Sequence, residues 1–136
     1  MSDKPMKILR YAWVVLFLWF GLSQMFFPNN WTAFLPTWSG YMPIPAAMLV
    51  KLNGWFEIFA AIFLFLGIFT RPIAIILTAH LLIIAASAGG AIGVRDFILA
   101  MIGVALASVP ADNWTMDFKA KKTKTDPTPD GASIQT

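Results

Sequence analysis

Residues 53–71 read NGWFEIFAAIFLFLGIFTR, and the reading of this stretch decides the architecture. It is apolar almost throughout, yet it carries one carboxylate, Glu57. A charge at the centre of a bilayer costs at least about 2.5 kcal/mol even on insertion scales. The stretch stops abruptly at Thr70-Arg71-Pro72. So short a connection joins two antiparallel neighbours. Proline also suits the first position of a helix, where its missing N–H costs nothing. The expectation is one membrane-spanning helix over Ala46–Phe69 and a second over Pro72–Ala88, folded as a hairpin.

The rest of the chain supports a membrane reading. Of 136 residues, 58% are hydrophobic and 12% charged, against roughly 45–50% apolar and 25% charged in a soluble domain. Between Tyr11 and Val109 the only charged residues are Lys51, Glu57, Arg71, Arg95 and Asp96. Five charges cannot clothe a hundred residues in water, so lipid is the solvent for most of that span. There is no cysteine, which excludes thiol–disulfide chemistry and cysteine-held iron–sulfur clusters. The net charge of +3 comes mostly from the two ends. It suits anionic lipid head groups; no basic stripe interleaved with aromatics points to nucleic acid.

Two further helices complete the expected set. Leu9–Phe27 is apolar over 19 residues, about 28 Å of helix. A basic stretch precedes it, as in a secretory signal, but no small-x-small cleavage pattern follows, so it reads as retained. Val94–Val109 is the fourth helix, stopped by Pro110 and preceded by Gly89–Gly93, read as a flexible break. The fold class expected is therefore all-α, an integral membrane four-helix bundle over residues 9–110. Residues 1–8 form a short basic tail and 111–136 a polar tail expected to be disordered.

Pro28–Pro45, with four prolines and Trp31, Trp38 and Tyr41, reads as a loop at the membrane–water boundary. It holds no Lys or Arg, whereas the first ten residues hold three, the 70–72 turn one and the last segment four. That bias places both ends in the cytoplasm and the aromatic loop outside.

The chemistry reduces to polar side chains at membrane depth: Gln24, Asn53, Glu57, His80, Arg95 and Asp96. Asn53, Gly54, Glu57, Ala60 and Ala61 share one helical face; Asp96, Ala100, Gly103 and Ala107 share another. Small residues let helices approach in lipid, so these faces point inward. By helix rise Glu57 stands about 18 Å above Phe69 and His80 about 12 Å above Pro72, which groups them in the outer half. Arg95 or Lys51 is the expected counter-charge to Glu57. Two readings of Glu57 stand side by side: a proton-accepting site for a small molecule such as a quinone, with Arg95 holding its charge or a ligand oxygen, or a structural Glu–Arg pair fixing helix register. His80 is the only histidine and lacks a second ligand for haem or metal, so no metal site is expected. Asp96 is read as a cap of the fourth helix.

Three segments carry a resemblance: FLWFGLSQMFFP, LNGWFEIFAAIFLFLGIFTRPIAIILTAHLLII and VRDFILAMIGVAL. Together with Gly54-x-x-Glu57, Gly67-x-x-Thr70-Arg71, His80 and Arg95-Asp96, they resemble the DoxX family of small bacterial membrane proteins over roughly residues 7–118. Gln24 stands where that family often carries lysine. The resemblance implies a multi-pass protein of the bacterial inner membrane. It also implies kinship to the DoxD-type subunit of thiosulfate:quinone oxidoreductase, and hence a redox partner, soluble or membrane-bound. No intrinsic cofactor is visible, so electrons would come from that partner or a diffusing donor. The rival functions are a scaffold recruiting a soluble partner and a small transporter or lipid-binding protein.

Overall fold

The computed structural model describes residues 3–110 and 112–125. Four helices are long and apolar enough to cross a membrane: α1 (Lys4–Phe26), α2 (Ala46–Leu66), α3 (Thr70–Ala88) and α4 (Gly90–Ser108). Their outward faces carry large apolar residues such as Val15, Phe59, Ile62, Ile75 and Ile98. Such a surface is stable only against lipid. No strand occurs among the described residues. The protein is an all-α, multi-pass membrane bundle.

Several boundaries differ from the sequence expectation. α1 starts at Lys4, with Pro5 in its first turn, so Lys7 and Arg10 are helical. α2 ends at Leu66 because Gly67 adopts φ 68°, ψ 37°. The Gly67 N–H bonds Leu64 O at 3.2 Å and the Ile68 N–H bonds Phe63 O at 3.0 Å, the paired closure of a left-handed C-cap. Thr70-Arg71-Pro72 is then the first turn of α3, not a linker. Gly89–Gly93 is not a flexible break: Gly89 and Gly90, at φ 61° and 53°, turn the chain, and Gly93 packs inside α4 against the Ala85 carbonyl.

The expected disordered tail is corrected over its first part. A fifth helix, α5 (Met116–Thr125), follows a turn closed by Thr115, whose hydroxyl accepts the Phe118 N–H. Residues 126–136 of that expectation lie outside the described residues. The Pro28–Pro45 loop holds two 3-10 segments, Pro28–Phe34 and Thr37–Tyr41.

Two hairpins make the bundle. α1 packs on α2 where Gly21 and Gly54 bring the backbones together, and α3 packs on α4 along their length. Contact between the hairpins is much sparser. They join firmly at one end, here termed the clasp end. There Trp13 lies over Gly103 and Thr78 within a core of Phe17, Ala61, Leu64, Ala74, Leu77 and Ala100. At the other, loop end they stand apart.

A buried ion pair fastens the clasp end. Arg10 is 1% exposed. Its Nε donates to Asp112 Oδ2 at 3.1 Å and its Nη1 to Leu64 O at 2.6 Å and Phe65 O at 3.1 Å. The guanidinium thus ties α1 to the last carbonyls of α2, where a cation is favoured. Asp117 of α5 accepts the Phe69 and Thr70 N–H groups at 3.0 and 2.8 Å, capping α3. Phe69 itself has φ 50°, a left-handed conformation held by that cap.

Candidate functional site

Four of the six polar residues singled out in the sequence form one hydrogen-bonded cluster. Glu57 is 3% exposed and Gln24 5%. Gln24 Nε2 donates to Glu57 Oε2 at 2.9 Å. Asn53 Nδ2 donates to Glu57 Oε1 at 3.1 Å and to Gln24 Oε1 at 2.8 Å. His80 Nε2 lies 3.1 Å from Glu57 Oε1. Three helices supply the group: α1 gives Gln24, α2 gives Asn53 and Glu57 one turn apart, and α3 gives His80. The Gly21–Gly54 crossing makes this reach possible, because a Cβ on Gly54 would stand 2.8 Å from the Gly21 carbonyl oxygen.

A carboxylate offers about four acceptor positions and no donor. Glu57 receives both amides and the imidazole, so its charge is spread over three partners. A proton must lie between His80 Nε2 and Glu57 Oε1 for that contact to bond. The imidazole donates when its Nε2 carries the hydrogen and accepts when the carboxyl carries it. Phe56 packs edge-on to the imidazole with centroids 5.2 Å apart, which fixes the ring.

The expected counter-charge is corrected. Arg95 does not pair with Glu57; its Nε donates to Asp96 Oδ1 at 2.8 Å. Lys51 lies exposed on α2. Among the described residues the one titratable partner of Glu57 is His80. Asp96 is not an N-cap, because α4 starts six residues earlier at Gly90. It is 3% exposed inside α4, while the Arg95 side chain is 52% exposed. Along α2, Glu57 lies eleven residues from the start and nine from the end, about 16 and 14 Å, while Gln24 stands two residues from the loop end of α1 and Asp96 six from that of α4.

Between the splayed hairpins lies a cavity of about 690 Å³. Glu57, His80, Gln24 and Asn53 line its deep end, and Arg95 and Asp96 line it from α4. Its walls are mostly apolar, including Leu16, Phe20, Val50, Ile84 and Leu99. The 3-10 segments roof it with Trp31, Phe34 and Trp38. Trp31 Nε1 donates to Ser23 Oγ at 3.1 Å and its ring meets Phe20 at 5.2 Å, pinning the roof to α1. All six polar residues named from the sequence thus face one space. The Pro28–Pro45 loop, whose aromatic residues suit either an interfacial loop or a lid, supplies this roof.

Arg10, Asp112 and Asp117 were missed altogether as structural residues. In sequence they look like ordinary charges of a basic tail.

A family model described as DoxX matches residues 6–90, which spans α1 to α3 and takes in Gln24, Asn53, Glu57 and His80. No curated protein and no solved structure matches the chain. A match over more than half the length, on a bundle with these four helices, shows the lineage: the chain belongs to the DoxX family.

Proposed function

We propose that the protein is a membrane component of a quinone-linked redox system that binds the head group of a quinone-like amphiphile between its two hairpins. One observation carries this reading: the 690 Å³ cavity has apolar walls and ends on a hydrogen-bonded acid–base pair, Glu57 and His80. Ligand sites for small molecules run from about 300 to 1,000 Å³, mostly apolar, with a few convergent polar groups. A quinone head group needs donors for its oxygens and an exchangeable proton beside them. The Glu57–His80 pair holds that proton. The Arg95 guanidinium uses Nε on Asp96 and keeps its terminal N–H groups for a ligand oxygen. Electrons come from a partner protein or a diffusing donor. In this reading the clasp end, with its lysines, faces the cytoplasm of a bacterial cell and the aromatic roof faces outward.

The test is to purify the protein in mild detergent and examine both the solvent extract and the protein fraction by mass spectrometry. The expected result is a stoichiometric quinone that is lost in Glu57→Ala while helix content is retained. A stable soluble partner with no quinone would refute the site reading in favour of a scaffold. One feature suits that second reading: Lys119, Lys121, Lys122 and Lys124 of α5 are exposed and form no ion pair among the described residues.

A further inference from the structure

We infer that the Glu57–His80 pair exchanges water and protons with only one side of the membrane, the side of the loop end. The inference rests on the asymmetry of the bundle. Only its consequence for quinone chemistry rests on the function proposed above.

Toward the loop end a cavity leads from the pair, its walls mostly apolar but with polar side chains along its length. The cavity runs from Glu57 past Asn53 and Ser23 to Asn30 under the roof, and Arg95 stands half exposed at its α4 wall. Toward the clasp end the interior is sealed. Phe17, Ala61, Leu64, Ala74, Leu77 and Ala100 are all between 0 and 2% exposed. From Glu57 to Leu64, whose carbonyl Arg10 grips, α2 runs seven residues, about 10 Å of helix.

A proton crossing that layer needs groups that both accept and donate. Among the described residues the interior there offers Thr78 and Trp13, with the buried Thr70 hydroxyl below them at the start of α3. The Thr78 hydroxyl donates to Ala74 O at 2.7 Å and lies against Trp13 and Gly103. Trp13 presents an indole N–H, which donates and cannot accept. Thr70 stands eight residues from Thr78, about 12 Å along α3, so these isolated groups make no continuous relay. Below them Arg10 is locked to Asp112 and to two carbonyls, and its guanidinium has donors and no acceptor. Any proton that the pair gains or loses as a ligand reacts therefore comes from, or goes to, the loop-end aqueous phase. No charge passes through the clasp.

The absence of native cysteine makes this directly testable. Single cysteines are placed in the cavity (Ser23→Cys, Leu99→Cys), in the seal (Thr78→Cys, Ala61→Cys) and as markers of each face (Thr37→Cys, Lys122→Cys). The full chain is held in sealed vesicles of either orientation and treated with a membrane-impermeant methanethiosulfonate ammonium reagent. The cavity positions should label in vesicles that expose Thr37→Cys and fail to label in those that expose Lys122→Cys. The seal positions should label from neither side until the protein is unfolded. In parallel, vesicles of the unmodified protein loaded with a pH dye should show no proton flux above protein-free vesicles under an imposed potential.

Labelling of Ser23→Cys or Leu99→Cys from the Lys122 side would overturn the inference and indicate alternating access, as in a transporter. Labelling of the seal, failure of both cavity positions to label from the loop side, or a protein-dependent proton flux would each overturn it too. These outcomes do not depend on a quinone being found, so the two readings fail separately.

Discussion

Arg10→Gln is the perturbation with the largest expected effect on the fold. Arg10 makes four bonds: to Asp112 Oδ2 at 3.1 Å, Asp112 Oδ1 at 3.4 Å, Leu64 O at 2.6 Å and Phe65 O at 3.1 Å. Glutamine satisfies one of these at best and leaves the Asp112 carboxylate buried without its cation. Breaking a buried pair from one side costs about 3–5 kcal/mol. Asp112→Asn should cost less, about 1–3 kcal/mol. Arg10 then keeps both carbonyls, and the Asn oxygen still accepts the Trp114 N–H that Asp112 Oδ1 binds at 2.9 Å. The double variant removes both charges, so its loss should fall short of the sum by about 1 kcal/mol or more. Unfolding in mixed micelles of a mild detergent and dodecyl sulfate, followed by helix ellipticity, measures all three. Trypsin gives a second readout. The segment around Asp112 leads directly into α5, so Arg10→Gln should speed cleavage at Lys119–Lys124. Additive losses, or cleavage rates equal to those of the unmodified protein, would refute the view that this pair holds the hairpins and α5 together.

Three other variants report on separate joints. Gly67→Ala forces a side chain into φ 68° and sets a Cβ 2.5 Å from Thr115 Cα. The backbone cost alone is roughly 1–2 kcal/mol, and α5 should become as protease-sensitive as in Arg10→Gln. Gly103→Ala drives a methyl into Thr78 and Trp13, where the hairpins meet. A loss of about 1–3 kcal/mol in the same unfolding assay is expected, without loss of surface expression of the aromatic roof to protease. Glu57→Gln puts one acceptor oxygen where a carboxylate served three donors. It should cost about 1–3 kcal/mol, and adding Gln24→Glu should recover part of that stability by restoring a donor–acceptor match between α1 and α2.

The helices were legible because lipid demands long apolar runs and because Gly67, Pro72 and Pro110 interrupt them. Their ends were less so. Gly89–Gly93 looks like a hinge in sequence, yet Gly93 is small because α4 lies against the Ala85 carbonyl. The polar cluster was legible as a set: each residue sits where a polar group is costly in lipid, and such groups turn inward. The partners within it were not. Charge sign alone pointed Glu57 to Arg95, but the rotation of α4 buries Asp96 and leaves Arg95 flanking it, so the guanidinium takes its neighbour's carboxylate. His80 then becomes the partner of Glu57 across the gap between hairpins. The clasp was illegible for a different reason. Arg10 and Asp112 are 102 positions apart, and each reads as a solvated tail charge until the ends of α1 and α4 are placed together.

Joining the hairpins at one end has a consequence for chemistry at the other. Close packing needs small residues on facing surfaces, and Gly103 supplies that under Trp13. Above this level the residues lining the gap between the hairpins include Phe20, Ile84, Leu99 and the six polar residues, and the Glu57–His80 contact bridges them there. Otherwise the hairpins part, and the roof segments cover the opening. Glu57 is tolerated near mid-depth because the space it faces is closed below and open above. A substitution that tightened the upper halves would exclude any ligand and strand the carboxylate against apolar side chains. One that loosened the clasp would give the pair a second route to water. The position of one carboxylate thus depends on packing about 10 Å away from it.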